Sequence, residues 1–407
     1  TETERHLDDI NAILDAARAD AAIPQDRLSA MAHRYLASSP EGRGRISPDA
    51  LADLIRGELT GRFVHQGREV DESQAMRMLA AALRRAQVDV EDRAHFIPCR
   101  LFEGSGPAGL AVGPVMFQRT EAFHEAHAAG LATDPEFAAL FERDFAPWDW
   151  VAEVTVRGCD RIISRERAMK AVDGALDILR LFAGADASSR LGRAGAPGLP
   201  GVMPAGLWAD STGRLHPVRA ERDAPAAAET GWMKRAHDED GRDWLDRAGR
   251  CLEPLADPAL NWPLADRFRE AASWFGEGVT ETYRAARTLA FVTAVECAVI
   301  PGDHGDVWRA VTRRAAIMAR DAEGGSVEEW LDRAEKVYEI RSQIVHGAVS
   351  PFAPEAGVLE PEAATLARAA LHGALAFYET LGLTHAEFSA ERLEKDFHAL
   401  ESTDLPD

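Results

Sequence analysis

The stretch SVEEWLDRAEKVYEIRSQIVHGAVSP, residues 326–351, decides how this chain is read. Ser326-Val-Glu-Glu329 is a capping box: the serine side chain accepts from the backbone three residues on, and the glutamate reaches back. Gly347 is a natural stop, with Pro351 just beyond. The spacing therefore predicts a helix over about 327–346. Its apolar stripe holds Val327, Trp330, Leu331, Ala334, Val337, Tyr338, Ile344 and Val345. Arg341 falls inside that stripe and breaks the binary pattern. A guanidinium cannot be neutralised, so it needs a partner or a wet cleft. His346 sits about 140° round from Arg341, in the last turn. The negative end of the helix dipole there favours imidazolium, and a histidine poised near neutrality suits proton transfer.

Two readings of this pair stand side by side. Arg341 can be half of a buried ion pair, and the preceding helix offers a partner: Glu296 is the one charge in the run Leu289–Ile300. His346 can simply serve the last carbonyls of its helix. Alternatively, the two are working groups of a site, because violations of binary pattern concentrate at functional positions.

Around this helix the sequence is helical in both directions. The expected helices from residue 242 onward are 264–276, 280–300, 305–320, 327–346, 362–381 and 387–400, with short polar connections that suit an antiparallel bundle. Residues 1–92 also read as helical. Leu7, Ile10, Ile13, Leu14 and Ala17 keep helical spacing, Ser47-Pro48 is a helix start, and 74–86 is a further helix. The middle changes character. Residues 95–102 and 110–118 read as strands flanking a glycine-rich turn, and Trp150, Ala152, Val154 and Val156 alternate as in a half-buried strand. Ser164 is expected to cap the next helix. Residues 184–206 and 220–242 are rich in breakers, and 207–209 with 214–216 flank the hairpin turn 210–213. The fold class is thus mainly α: a helical N-terminal region (1–92), an α+β region (93–240) and a C-terminal antiparallel helical bundle (241–407).

The tenfold Tyr338-Glu-Ile-Arg-Ser-Gln-Ile-Val-His-Gly347 resembles the motif of the HEPN superfamily, in which an arginine and a histidine are separated by four to six residues. It is most like the Apea-like branch, where the helix ends in His-Gly. The resemblance spans roughly 265–385, including the flanking helices that carry Ala294-Val-Glu296 and residues 362–381. It implies a metal-independent RNA endonuclease that needs no cofactor, acting in anti-phage or other conflict defence, with two protomers pairing their motifs in one cleft. Carried over, His346 handles the proton of the RNA 2′-OH or of the leaving 5′-oxygen. Arg341 neutralises the phosphorane and Ser342 supports them, with Glu296, Tyr338 and Gly347 around them. Ser342 departs from the Asn, Asp or His usual after the arginine in active members. The alternative implied by the resemblance is a catalytically inactive HEPN module for dimerisation or partner binding. Under the nuclease reading, residues 1–240 would sense a trigger ligand or partner, or restrain the nuclease.

Composition limits the other possibilities. The chain has 407 residues, 46% of them hydrophobic and 28% charged, with a net charge of −21. Such a charge disfavours sequence-general DNA binding by the whole surface. The 12 Lys or Arg against 24 Asp or Glu within 270–407 bear equally on RNA. Arg309, Arg313 and Arg320 nonetheless share one helical face, opposite Val307, Val311, Ala315 and Met318. That face is either solvated or a strip that tracks RNA phosphates. Four scattered cysteines form no CxxC pair, so neither a zinc site nor a disulfide framework is expected. The longest apolar run is too short for a membrane span, and a cytoplasmic protein is expected. Gly104-Ser-Gly-Pro-Ala-Gly109 has a dinucleotide spacing but sits between strands. His124-Glu-Ala-His127 has the wrong spacing for a zinc protease. Trp148, Trp150 and Trp208 suit core packing better than base stacking.

Overall fold

The computed structural model describes residues 2–18, 25–60, 63, 70–101, 109–195, 206–209, 215–218, 230–302 and 306–404. The chain divides into two compact units: Thr1–His95 with Thr155–Lys170 and Leu255–Ala259, and Phe96–Val154 with Ala171–Pro254 and Leu260–Asp407. The fold is mainly α, with a small antiparallel sheet in the N-terminal part and an all-helical C-terminal part.

The first unit contains α1 (Glu2–Arg18), α2 (Gln25–Ser38), α3 (Pro48–Leu59) and α4 (Glu72–Ala86). Ile10, Ile13, Leu28, Met31, Leu51, Ile55 and Leu79 close its core. Ser47 caps α3 as its sequence suggests, and a capping box of Asp71 and Gln74 starts α4.

The sheet strands are β1 (Glu91–Arg100), β2 (Gly109–Val112), β3 (Val115–Arg119), β4 (Trp150–Cys159) and β5 (Gly192–Arg193), in the order β2-β3-β4-β1-β5. β6 (Gly206–Ala209) and β7 (Leu215–Val218) pair separately. The turn between them, and the glycine run 104–108, lie outside the described residues. The expected single strand over 110–118 is two strands of a hairpin. Gly113, at φ 56°, turns the chain where alternation alone reads on.

The helices α5 (Thr120–Thr133), α6 (Pro135–Asp144), α7 (Arg161–Ala183) and α8 (Ala185–Ser188) accompany the sheet. His127 bonds the Phe123 carbonyl at 2.9 Å and packs on the Phe123 ring, a structural role. The expectation for Ser164 needs correction. α7 begins at Arg161, and its cap is Asp160, whose Oδ1 accepts from the Ile163 N–H at 2.8 Å and whose Oδ2 accepts from the Ser47 N–H at 2.6 Å. Ser164 lies one turn in, fully buried, bonded to His95 at 2.6 Å. Either residue suits a cap by type, and the backbone geometry chose the aspartate.

A second correction concerns 220–242. From Thr230 this segment is helical: α9 (Thr230–His237) is followed by α10 (Glu239–Arg250) and α11 (Glu253–Ala256). Asp238 caps α10. The breaker Gly249 is there for packing. A Cβ on it would stand 2.2 Å from the Gly113 nitrogen, so helix and hairpin turn meet backbone to backbone. Gly249→Ala is expected to destabilise by about 1–3 kcal/mol, as overpacking does, read as a lowered urea midpoint with the slope unchanged.

The bundle comprises α12 (Pro263–Thr280), α13 (Arg284–Val299), α14 (Val307–Glu323), α15 (Val327–Val345), α16 (Glu360–Leu381) and α17 (Ala390–Asp404). All six correspond to helices expected from periodicity. Phe268, Phe275, Phe291, Ile317, Leu371 and Leu375 fill its centre. Tyr378, fully buried, donates to the Ala298 carbonyl. Gly373 lets α16 approach α14 closely, since a Cβ there would meet the Met318 carbonyl at 2.1 Å.

His372 on α16 stacks on Trp244 of α10 at 4.5 Å. Burial, reinforced by the Arg368 charge, pushes its pKa from 6.5 down to about 3. The unfolded chain takes up a proton near pH 6.5, whereas the folded chain resists until about 3. Stability is therefore lost as pH falls through that window, by up to about 1.4 kcal/mol per pH unit. Melting temperature is expected to fall below pH 6.5, and His372→Gln should flatten that part of the profile.

Candidate functional site

The site is built on α15. The capping box forms as read: Glu329 N–H to Ser326 Oγ at 3.2 Å, and Ser326 N–H to Glu329 Oε2 at 3.4 Å. Val327, Trp330, Ala334, Val337, Tyr338 and Ile344 are buried along one face. Val345 departs from the expected stripe: it is 52% exposed, because the helix turns it outward just before its end. The end is a Schellman motif. The Gly347 N–H donates to the Ile344 carbonyl at 3.1 Å and the Ala348 N–H to the Gln343 carbonyl at 2.8 Å. Gly347 stands at φ 74°, a conformation that glycine adopts without a Cβ penalty.

Arg341 projects toward α13. Its Nη2 lies 3.1 Å from Oε1 and 3.3 Å from Oε2 of Glu296. The Tyr338 hydroxyl donates to the same carboxylate at 2.8 Å, and the Tyr338 ring lies 5.3 Å from the guanidinium carbon. Burial, followed by the bond to Glu296, pushes the Tyr338 pKa up to about 12, so the phenol remains a donor at neutral pH. The cluster is only part-buried: 26% of the Arg341 side chain and 19% of the Glu296 side chain are exposed. Arg341 engages the carboxylate through one nitrogen alone. Its Nε and Nη1 make no hydrogen bond among the described residues, so two of its three nitrogens are uncommitted, one on each side of the nitrogen that Glu296 holds. Those N–H groups can still donate singly to an anion.

Ser342 is half-buried and His346 exposed, and neither side chain has a hydrogen-bond partner among the described residues. His346 lies about 7.5 Å further along the axis than Arg341, at 1.5 Å per residue. Close by in sequence, Phe352 is 82% exposed and meets Tyr283, 64% exposed, edge to face at 6.3 Å. Arg341, Glu296 and Tyr338 are thus joined by direct contacts. Ser342 and His346 share the helix with them without touching the cluster.

The arginines expected to track phosphates sit on α14. Arg309 is exposed, while Arg313 and Arg320 are half-buried. Arg320 pairs with Asp404 at 2.8 Å and Asp321 at 2.6 Å. Sequence reasoning missed Arg314, the most deeply buried cation of the bundle. It is fully buried, donates to the Val299 carbonyl at 2.9 Å, and pairs with Glu394 and Glu401 of α17. Its position between Val311 and Met318 on the apolar stripe was the available signal. Comparison with protein families, curated proteins and solved structures finds no match to the chain.

Proposed function

We propose that this chain is a metal-independent RNA endonuclease working through Arg341 and His346, in the manner of the HEPN domains it resembles, and that it serves as a toxic effector in conflict defence. The observation that carries the reading is the state of Arg341. It is held by Glu296 through one nitrogen, backed by an aromatic ring, part-exposed, and left with two uncommitted nitrogens. A purely structural arginine on a core stripe would be expected to spend its whole fork.

His346, exposed and unbonded, takes the proton of a 2′-hydroxyl. The 2′-oxygen attacks phosphorus, the P–O5′ bond breaks, and the 5′-oxygen receives a proton. The products are a 2′,3′-cyclic phosphate and a free 5′-hydroxyl. Arg341 neutralises the charge growing on the non-bridging oxygens. A second copy supplies a second His346, so that one histidine acts as base and the other as acid. The exposed Val345, Tyr283 and Phe352 beside the helix end support such pairing.

The test is cleavage of a labelled RNA in EDTA, with a strand of the same sequence carrying 2′-deoxyriboses as control. Only the ribose strand is expected to be cut. A second reading, the silent module, is favoured by one observation: Glu296 already balances the Arg341 charge. Intact RNA under all conditions, with growth of expressing bacteria unimpaired, would select it.

A further inference from the structure

α17 is attached differently from the other bundle helices. It buries two apolar residues, Leu393 and Phe397, where α16 buries twelve residues. Of its five carboxylates, Glu391 pairs with Lys395 and Asp396 with Arg392 inside the helix. The other three, Glu394, Glu401 and Asp404, all reach α14. Glu394 and Glu401 close on Arg314, whose guanidinium carbon also lies 4.8 Å from the Phe397 ring, and Asp404 takes Arg320. Positions 394, 397, 401 and 404 follow helical spacing, so the docking stripe is an acidic row with one aromatic ring in it. Opposite it stand Arg314 and Arg320 of α14, a helix that also carries Arg309 and Arg313. The flank of α14 formed by Val311, Thr312 and Ala315 lines one small cavity together with Val337 and Tyr338 of α15, so this arginine helix is packed directly against the helix of the site.

An acidic row paired to arginines occupies the places that phosphates of a nucleic acid strand would take. We infer that α17 is an autoinhibitory strap: it covers Arg314 and Arg320 of α14, and a nucleic acid strand must displace it to reach them. This rests on the RNA-cleaving reading above for its biological meaning, though not for its measurement. The strap follows a left-handed Gly382, at φ 94°, and the irregular link 383–389, which supply a hinge without breaking a helix.

The full chain, wild type and variant, is titrated with a fluorescent 20-nucleotide oligo-dT, which lacks the 2′-hydroxyl and is not cut. Glu394→Gln/Asp404→Asn is expected to bind about tenfold more tightly than wild type at low salt, with a steeper fall of affinity on adding salt. Because Glu394 neighbours a buried arginine, Asp404→Asn alone is the second variant. It leaves the Arg314 partners in place and is expected to tighten binding about twofold. In hydrogen exchange, amides of 390–404 should lose protection on saturation with the oligonucleotide while those of α16 keep theirs. Unchanged or weaker affinity in both variants, absence of binding throughout, or a fully protected α17 in the complex overturns the strap. Intact RNA with a normal oligo-dT response would instead count against cleavage alone.

Discussion

Arg314→Ala is expected to lower the stability of the bundle by about 3–5 kcal/mol, the cost of breaking a buried ion cluster from one side. Arg314 is fully buried and sits between the end of α13 and two carboxylates of α17. Removing it takes the arginine from Glu394 and Glu401, leaving His398 beside them, and leaves the Val299 carbonyl without that donor. It also withdraws the cation from the Phe397 ring, one of only two apolar anchors of α17. For a domain of this size the loss corresponds to a fall in Tm on the order of 10 °C. The control is Arg314→Met with Glu394→Leu and Glu401→Leu. Replacing a buried ion cluster by apolar groups of similar volume is often neutral, so the triple variant should recover much of the loss. If Arg314→Ala melts with wild type, the buried ion cluster is not a structural element of the bundle.

Arg314 also shows where the sequence was legible and where it was not. The six bundle helices were readable because each keeps a 3.6-residue apolar period between good caps, and Ser326, Glu329 and Gly347 do in the structure what their types suggest. The anomaly of Arg341 was readable for the same reason, and its contact with Glu296 followed from the lone charge in an apolar run. The same anomaly on α14 was passed over because its neighbours Arg309, Arg313 and Arg320 made Arg314 look like one more member of a charged face. Its partners lie about 80 residues away on α17, a separation that local periodicity cannot bridge. The hairpin at Gly113 was missed because strand alternation runs across it unbroken, and α9 because glycine and charge near Thr230 resemble a loop. The capping Asp160 also accepts from the Ser47 N–H, more than 100 residues distant, a contact that local sequence does not reveal.

His346→Ala is expected to reduce RNA cleavage by about 10²–10⁴-fold, the share that a positioned acid–base group contributes, while leaving the melting temperature near that of wild type. The second half of this expectation follows from geometry. The His346 ring is exposed and bonds nothing among the described residues, and the helix end is secured by the backbone bonds of the Schellman motif and by Gly347. Arg341→Ala should cost activity comparably through loss of charge at phosphorus. Its effect on folding should stay well short of the Arg314 substitution, because the Arg341–Glu296 pair is part-exposed and screened by solvent. Arg341→Lys separates charge from shape: an ammonium restores the positive charge but not the planar guanidinium that can hold Glu296 through one nitrogen and donate from the others, so it should recover only part of the rate. Rates and melting curves for these variants divide the two readings of the site. Full activity in both alanine variants removes the nuclease proposal from this helix. Loss of activity in Arg341→Ala accompanied by unfolding, with His346→Ala unaffected in both respects, assigns the arginine to the fold.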